Sequence, residues 1–489
     1  MSLFNPNGAP YKQPPTPYGG MIDGVPAVTG PHLLVSGPTG VGKSRRVLGP
    51  GILMWEGPVV AVSSKPDLVD LCLQQRLAWG GHNRTYLLDL SGEVPDDVVP
   101  AGVHRVVVDP AVMAQTDDDA LDLAAILMQS GAAGAGGGNG SGGGDAFWES
   151  VSTAPLAAIL RAAPTMAWAM AAVSKLTLDE GEAVDAADKP DPLSLEGASW
   201  DSAIAILQKS GSELAGGLER AAQLTGTVGE LLQENSDQFS PILAAELTSA
   251  SLLDAKMRDS IAVTMKSAVS PWLRSTVRGW ANEVAFVPDM LSHPASTLFI
   301  IAPATGVAAG AAVSCVDMVS KRWRANQTEK VRLPRLLLVV DELCNTMPWP
   351  KLPTVVTESR AMGLALLVAV QATSQLAKRY GVQGMEELRQ VFPTTLLLVG
   401  APERAMLENA AWWYGEQERE RRSIDHQGHE TRSTEMVPVK TAASLLPRSK
   451  NEGRLLRGSK PGDDPDVLNE AGLLVQLLDI SQLRFDDGT

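Results

Sequence analysis

Residues 33–46 read LLVSGPTGVGKSRR. An apolar run, a glycine turn and a Lys-Ser pair follow one another at the spacing G-x-x-x-x-G-K-[ST]. Glycines at 37, 40 and 42 free the backbone to curl its N–H groups around phosphates, and Pro38, Thr39 and Val41 complete the loop. Lys43 is placed to reach the β- and γ-phosphates and Ser44 to ligate Mg²⁺. A helix opening at Ser44-Arg45 would turn its positive end toward the anion. The reading is therefore an ATP site with Mg²⁺, formed by Gly37 to Arg45. The competing view, a glycine turn that binds nothing, explains neither the lysine nor the strand before it.

The matching half lies far along the chain. RLLLVVDE, residues 335–342, gives a strand buried on both faces that ends in two acids. Asp341 at the tip is read as a second Mg²⁺ group. Glu342, one residue on, is read as the base that orients or deprotonates a water. Further on, LALLVAVQ (364–371) ends in Gln371, an amide able to touch the γ-phosphate from the adjacent strand. Arg360, in TESRAMG, is read as bordering the site, where it would serve a neighbouring subunit's nucleotide. On position alone, a solvated amide and an ordinary surface arginine stay open for these two.

Apolar runs at 32–37, 59–64, 85–90 and 104–110 predict parallel strands, and more follow at 297–302, 335–342, 364–371, 394–400 and 473–478. Between them, Ala, Leu, Met, Glu and Gln recur at helical spacing without a strand. The fold expected is α/β, with a mainly parallel twisted sheet interrupted by an all-α insertion. Its divisions are an irregular Pro/Gly-rich tail (1–30), a first nucleotide-binding segment (31–111), the all-α domain (112–282) and a second nucleotide-binding segment (283–489). Two α/β domains flanking a helical one is the alternative. Each half carries only a portion of one nucleotide site, which favours the insertion.

The chain has 489 residues, too many for one ordinary core, with 44% hydrophobic and 20% charged residues. A net charge of −15 excludes a protein that wraps nucleic acid over its whole surface. Such contact must be local, and Arg419, Arg421, Arg422, Arg448, Lys450, Arg454, Arg457 and Lys460 either face it or balance nearby acids. Three scattered cysteines fit a reducing compartment and lack metal spacing. The uncharged stretch 293–316 is broken by Pro303 and Gly306, and reads as a buried strand followed by a packed helix rather than a membrane span. Gly131 to Asp145 is low-complexity and expected to loop out; GEQERERRSIDHQGHETRS (415–433) is expected to be irregular and solvated.

LVVDELCNTMPWPKLPTVVTESRAMGLALLVAVQATSQLAKRYG, residues 338–381, resembles the core of the type IV secretion coupling proteins, the TraG/TraD-type conjugation ATPases. The shared elements are Asp341-Glu342, Leu352-Pro353, Arg360 to Gly363, Gln371 to Leu376, and Tyr380-Gly381. Phe147-Trp148 resembles the Phe-Trp helix of the family's all-α domain. The resemblance implies a RecA-like P-loop ATPase in homo-hexameric rings whose formation depends on ATP or DNA, with Arg360 acting in trans. It implies DNA, single-stranded rather than duplex, as cargo, and a relaxase or secreted protein and a membrane component of a type IV secretion system as partners. The expected place is the bacterial cytoplasm, with peripheral recruitment to the inner face of the cell membrane, because the family's usual transmembrane pair does not precede Gly37. A second departure is SSKPDL (63–68), where the family often has an Asp-x-Lys-Gly-Glu-like element. An ATP-switched receptor and a duplex-DNA pump remain as other readings.

Overall fold

The computed structural model describes residues 3–4, 16–81, 83–134, 143–175, 190–208, 239–279, 283–304, 306, 308–328, 332–424, 430–457 and 471–485. Strands β1 (Leu3–Phe4), β2 (Met21–Ile22) and β3 (Val25–Pro26) precede β4 (His32–Ser36), β5 (Val59–Ser63), β6 (Thr85–Asp89) and β7 (Val103–Val107). After the helices come β8 (Val284–Ala285), β9 (Thr297–Ile301), β10 (Leu336–Val340), β11 (Leu364–Val370) and β12 (Thr394–Leu398). β13 (Glu416–Ile424), β14 (Glu430–Pro438), β15 (Glu452–Arg457), β16 (Gly472–Gln476) and β17 (Arg484–Phe485) complete the set.

One 13-stranded sheet organises these residues, in the order β3-β2-β16-β15-β12-β4-β11-β10-β5-β9-β6-β7-β8. It is parallel from β12 to β8 and antiparallel from β12 outward to β3. Every residue of β4, β5, β9, β10, β11 and β12 is buried, as continuous apolar runs demand of strands covered on both faces. Period-2 alternation divides them: Leu34, Val60 and Val62 pack into one core, and Leu33, Val35, Val59 and Ala61 into the other. The fold is the expected α/β one, built on a mainly parallel sheet.

Between β7 and β8 the described chain is helical, from Asp117–Gly134 through Gly143–Ala162, Met166–Val173, Trp200–Gln208, Pro241–Ser251 and Ala255–Val269 to Ser275–Arg278. Buried tryptophans anchor it. Trp272 Nε1 donates to the Val108 carbonyl at 3.0 Å, tying the helices to the end of β7, and Trp168 Nε1 donates to Pro192 O at 2.9 Å. Phe147 and Trp148 stack edge-on at 5.2 Å on Gly143–Ala162. The helical reading of 214–235 lies outside the described residues, as do residues 135–142 of the run expected to loop out; its ends, 131–134 and 143–145, belong to the flanking helices instead.

The stretch 415–433, expected to be irregular, contributes strands instead at its described residues 416–424 and 430–433: β13 and β14 pair antiparallel from Glu416↔Pro438 to Ile424↔Glu430. Both faces of that ribbon carry charge, so no alternation betrays it in the sequence. Within 293–316, by contrast, β9 and the helix Ala309–Ala325 follow as read, and almost all of that helix is buried. Among the described residues, no helix is long and apolar enough to cross a membrane.

Candidate functional site

The C-terminal ends of β4, β10, β11 and β5 meet at one edge of the sheet, because these strands are parallel neighbours. Whatever follows each strand converges there. Gly37 follows β4, Asp341 follows β10, Gln371 follows β11, and Ser64 to Asp67 follow β5.

The loop after β4 needs its glycines. Gly40 and Gly42 have φ of +81° and +94°, a region that side chains disfavour. A Cβ on Gly37 would sit 2.8 Å from Leu398 Cβ. Ser44–Leu48 is a wide π-helical turn that runs on into a helix at Gly49–Met54. Lys43 is buried, and its Nζ donates to the carbonyls of Gly37 at 2.7 Å and Pro38 at 3.2 Å. Burial lowers its pKa, against the pull of Asp341 and Glu342.

Ser44 Oγ donates to Asp341 Oδ2 at 3.1 Å, so residues 297 positions apart meet. Asp341 is buried, and its Oδ1 has no hydrogen-bond partner among the described residues. Burial, then the like charge of Asp67, push its pKa up to about 6, with Lys43 pulling the other way. A hydroxyl and a carboxylate with an unsatisfied oxygen form a donor set suited to a hard cation that keeps several waters and takes phosphate oxygens. Mg²⁺ fits these residues. Asp67 itself accepts from Ser63 Oγ at 2.7 Å and from Leu68 N at 2.9 Å.

Glu342 occupies the left-handed region, φ 54° and ψ 50°, rare for a residue with a side chain. The turn there swings its carboxylate toward β11. Gln371 Nε2 donates to Glu342 Oε1 at 3.0 Å, and Gln371 N donates to Gln375 Oε1 at 3.2 Å.

A buried acid that the sequence reading missed stands behind the site. Glu403 Oε1 accepts from Ser36 Oγ at 2.7 Å and from Thr373 N at 2.6 Å, and Glu403 Oε2 accepts from Thr373 Oγ1 at 2.6 Å. Arg389 lies 3.6 Å from the same carboxylate. One side chain thus joins the last residue of β4 to the loop that carries Gln371. No motif marks Glu403; the signal is a lone acid after the β12 run, and its role follows only from topology.

The structure brings Gly37 to Ser44, Asp341, Glu342 and Gln371 together, and leaves two residues apart. Arg45 points away, its guanidinium on Asp479 at 2.7 Å, which holds that carboxyl well below the usual carboxylate range. Arg360 does not border the site of its own chain. It is exposed near the C-terminal end of the helix Leu352–Met362, beside Gly363 and the N-terminal end of β11. The length of that strand, about 20 Å at 3.3 Å per residue, separates it from Gln371. The basic residues of the C-terminal third are likewise dispersed. Arg454 donates to Leu445 O and Gly472 O, and Arg457 to Val28 O, while Arg419, Arg421 and Arg422 lie on the β13–β14 ribbon. Lys460 is outside the described residues.

Comparison with known proteins gives two findings. Residues 335–450 match the family described as the TraM recognition site of TraD and TraG. Among solved structures, the plasmid coupling protein TrwB in complex with ADP and Mg²⁺ aligns over 96% of this chain and 91% of its own, at 17% identity and a TM-score of 0.53. TrwB with the non-hydrolysable ATP analogue ADPNP aligns over 98% and 97%, at 18% and 0.51. The unbound bacterial conjugative coupling protein TrwBdeltaN70 aligns over 98% and 96%, at 18% and 0.51. At such identities the likeness is one of fold. No curated protein matches the chain by sequence. The matched segment and the shared fold agree with the resemblance that residues 338–381 bear to the TraG/TraD-type coupling proteins of type IV secretion.

Proposed function

We propose that the chain is an ATP-hydrolysing coupling protein that recruits DNA, single-stranded and relaxase-linked, and drives it toward a type IV secretion channel as a ring of identical copies. The observation that carries the reading is the division of one catalytic set between two ends of the sheet. Lys43, Ser44, Asp341, Glu342 and Gln371 gather at the C-terminal edge, and Arg360 sits at the N-terminal edge. An arginine so placed can meet a terminal phosphate only on another copy.

The geometry supports the following roles. Lys43 exchanges its bonds to Gly37 O and Pro38 O for β- and γ-phosphate oxygens. Ser44 and Asp341 hold Mg²⁺, which when bound draws charge off the phosphates. Gln371 fixes Glu342, and Glu342 takes the proton of the attacking water. Glu403 keeps the phosphate loop and the Gln371 loop in register. The TrwB complexes with ADP and Mg²⁺ and with ADPNP support nucleotide binding on this fold. The family description, a recognition site for TraM on TraD and TraG, supports a protein partner docking on 335–450. The chain is divided for this work into the two nucleotide-binding segments, 31–111 and 283–489, and the helical domain, 112–282, which is the candidate for substrate recruitment.

The test is ATPase rate against protein concentration, with and without single-stranded DNA. Activity per subunit should rise as copies assemble and rise again with the oligonucleotide. Arg360→Ala should lose turnover while keeping nucleotide affinity. Mixing it with Glu342→Gln should restore some of the rate, since mixed interfaces join an intact Glu342 to an intact Arg360. A flat dilution curve and a dead mixture would leave the ATP-switched receptor as the better reading. Stronger stimulation by duplex DNA would point to a duplex pump.

A further inference from the structure

Arg360 does not stand alone at the N-terminal edge of the sheet. A cavity of about 290 Å³ opens there, lined by Arg332, Arg335 and Arg360 with Asn326 and Gly363. Among the described residues, no carboxylate lines it. The acid two residues before Arg360, Glu358, is engaged by Arg324 instead. All three arginines are exposed. The fold sets them on separate supports. Arg360 is near the end of the helix Leu352–Met362, which stops at Gly363 with φ +80°. Arg335 is the residue before β10; its guanidinium lies over the Trp55 ring at 5.9 Å, and its carbonyl accepts from Trp55 Nε1 at 3.1 Å. Arg332 lies three residues earlier, next to Leu333, whose N–H donates to the buried Asn326 Oδ1 at 2.8 Å. Beneath them His32 is held neutral by burial and by the charge of Arg335.

Three guanidinium groups around one small cavity form a donor set suited to an anion. Their planar forks match phosphate oxygens two at a time. We propose that this cavity is a phosphate site in which Arg332 and Arg335 join Arg360 around the terminal phosphate of a nucleotide held by a second copy of the chain. The proposal rests on the ring reading above and deepens it. Arg335, steadied by Trp55, and Arg332, at the end of the preceding loop, grip the phosphate from sides that Arg360 does not cover. They stabilise the charge that spreads over its oxygens as the bond to the leaving oxygen breaks.

The experiment uses the full chain carrying Arg332→Ala and Arg335→Ala together, and a second pair, Arg332→Lys and Arg335→Lys. Turnover is measured without nucleic acid at a concentration where the wild type is assembled. Affinity for a fluorescent ATP analogue reports each protein's own phosphate loop. The alanine pair should lose about ten- to a hundredfold in kcat with that affinity unchanged. The lysine pair should recover only a fraction of this, because an ammonium keeps the charge without the fork. Mixing the alanine pair with Glu342→Gln should restore turnover, as it should for Arg360→Ala. Unchanged kcat overturns the proposal. So does a loss that mixing fails to restore while Arg360→Ala is restored in parallel; the ring then stands without this cavity. If neither is restored and the dilution curve is flat, the ring reading itself has failed. Weaker binding of a labelled oligothymidylate by the alanine pair, with normal turnover in its absence, would assign the phosphate to a nucleic-acid backbone and overturn the nucleotide assignment.

Discussion

Gln371 donates a 3.0 Å hydrogen bond to Glu342 across the ends of two adjacent parallel strands, and Glu342 holds a left-handed backbone to receive it. The two side chains therefore act as a unit. Glu342→Gln should bind nucleotide normally and lose two decades or more in turnover, about the contribution of a positioned acid–base group. Gln371→Ala should cost less, and in the Glu342→Gln background it should cost almost nothing more. Steady-state rates for the four proteins of that cycle check the coupling; independent, multiplicative losses would separate the two residues.

The backbone of Glu342 is itself a source of strain. A left-handed residue with a Cβ costs about 1–2 kcal/mol relative to glycine. Glu342→Gly should thus raise the unfolding free energy by about 1 kcal/mol while abolishing hydrolysis. Denaturant titration of the nucleotide-free protein measures this, and a destabilised glycine variant would show that the carboxylate's contacts outweigh the strain.

Glu403 is the buried link between Ser36 and Thr373. Glu403→Ala removes the acceptor of three hydrogen bonds and leaves the half-buried Arg389 without its buried counter-charge. A loss of about 3–5 kcal/mol is expected from breaking such a pair. Glu403→Gln keeps one acceptor oxygen and should cost less, about 1–3 kcal/mol. Its turnover should fall more than its nucleotide affinity, because the misplaced element is the loop that carries Gln371. Equal effects on both would assign Glu403 to stability alone.

His32 gives a stability dependence on acid. Burial, then Arg335, lower its pKa from 6.5 to about 4, so the unfolded chain binds the proton first. Its contribution is complete above pH 6.5 and is lost progressively as pH falls toward 4, by about 3 kcal/mol. Asp109, buried and raised to about 7, slopes the other way in that range, so the comparison must be with a variant. His32→Phe should flatten the acid-side loss between pH 6.5 and 4 in paired melting curves. Its loss of the contact with Ser359 shifts both ends of the curve equally. Parallel curves for the two proteins would exclude His32.

The elements of the site that the sequence displayed were those written in consecutive residues. Gly37 to Ser44 and Asp341-Glu342 each carry their chemistry within one strand end, and a strand buried on both faces advertises itself by composition. Gln371 was legible for the same reason. Asp67, Glu403 and Arg389 were not, because they reach the site through sheet order and a helix return that no local pattern encodes. The place of Arg360 was recoverable in principle. A helix joining two parallel strands runs back against them, so a residue near its end must lie at the sheet edge opposite the phosphate loop. The β13–β14 ribbon escaped because charge on both faces erases the alternation by which strands are recognised.

The separation of the phosphate loop from the arginine-lined cavity by the depth of the sheet makes every copy directional, with a head and a tail that differ. Contacts of that kind are heterologous, and they either close or run on. In an unclosed row, the last copy holds a nucleotide that no arginine reaches, and the first offers arginines to nothing. Closure completes both at one stroke, so the final copy to join adds two working interfaces where each earlier one added a single interface. Under the ring reading, the catalytic reward for assembly is therefore steepest at its last step, and an enzyme built this way checks its own completeness before it works at full rate.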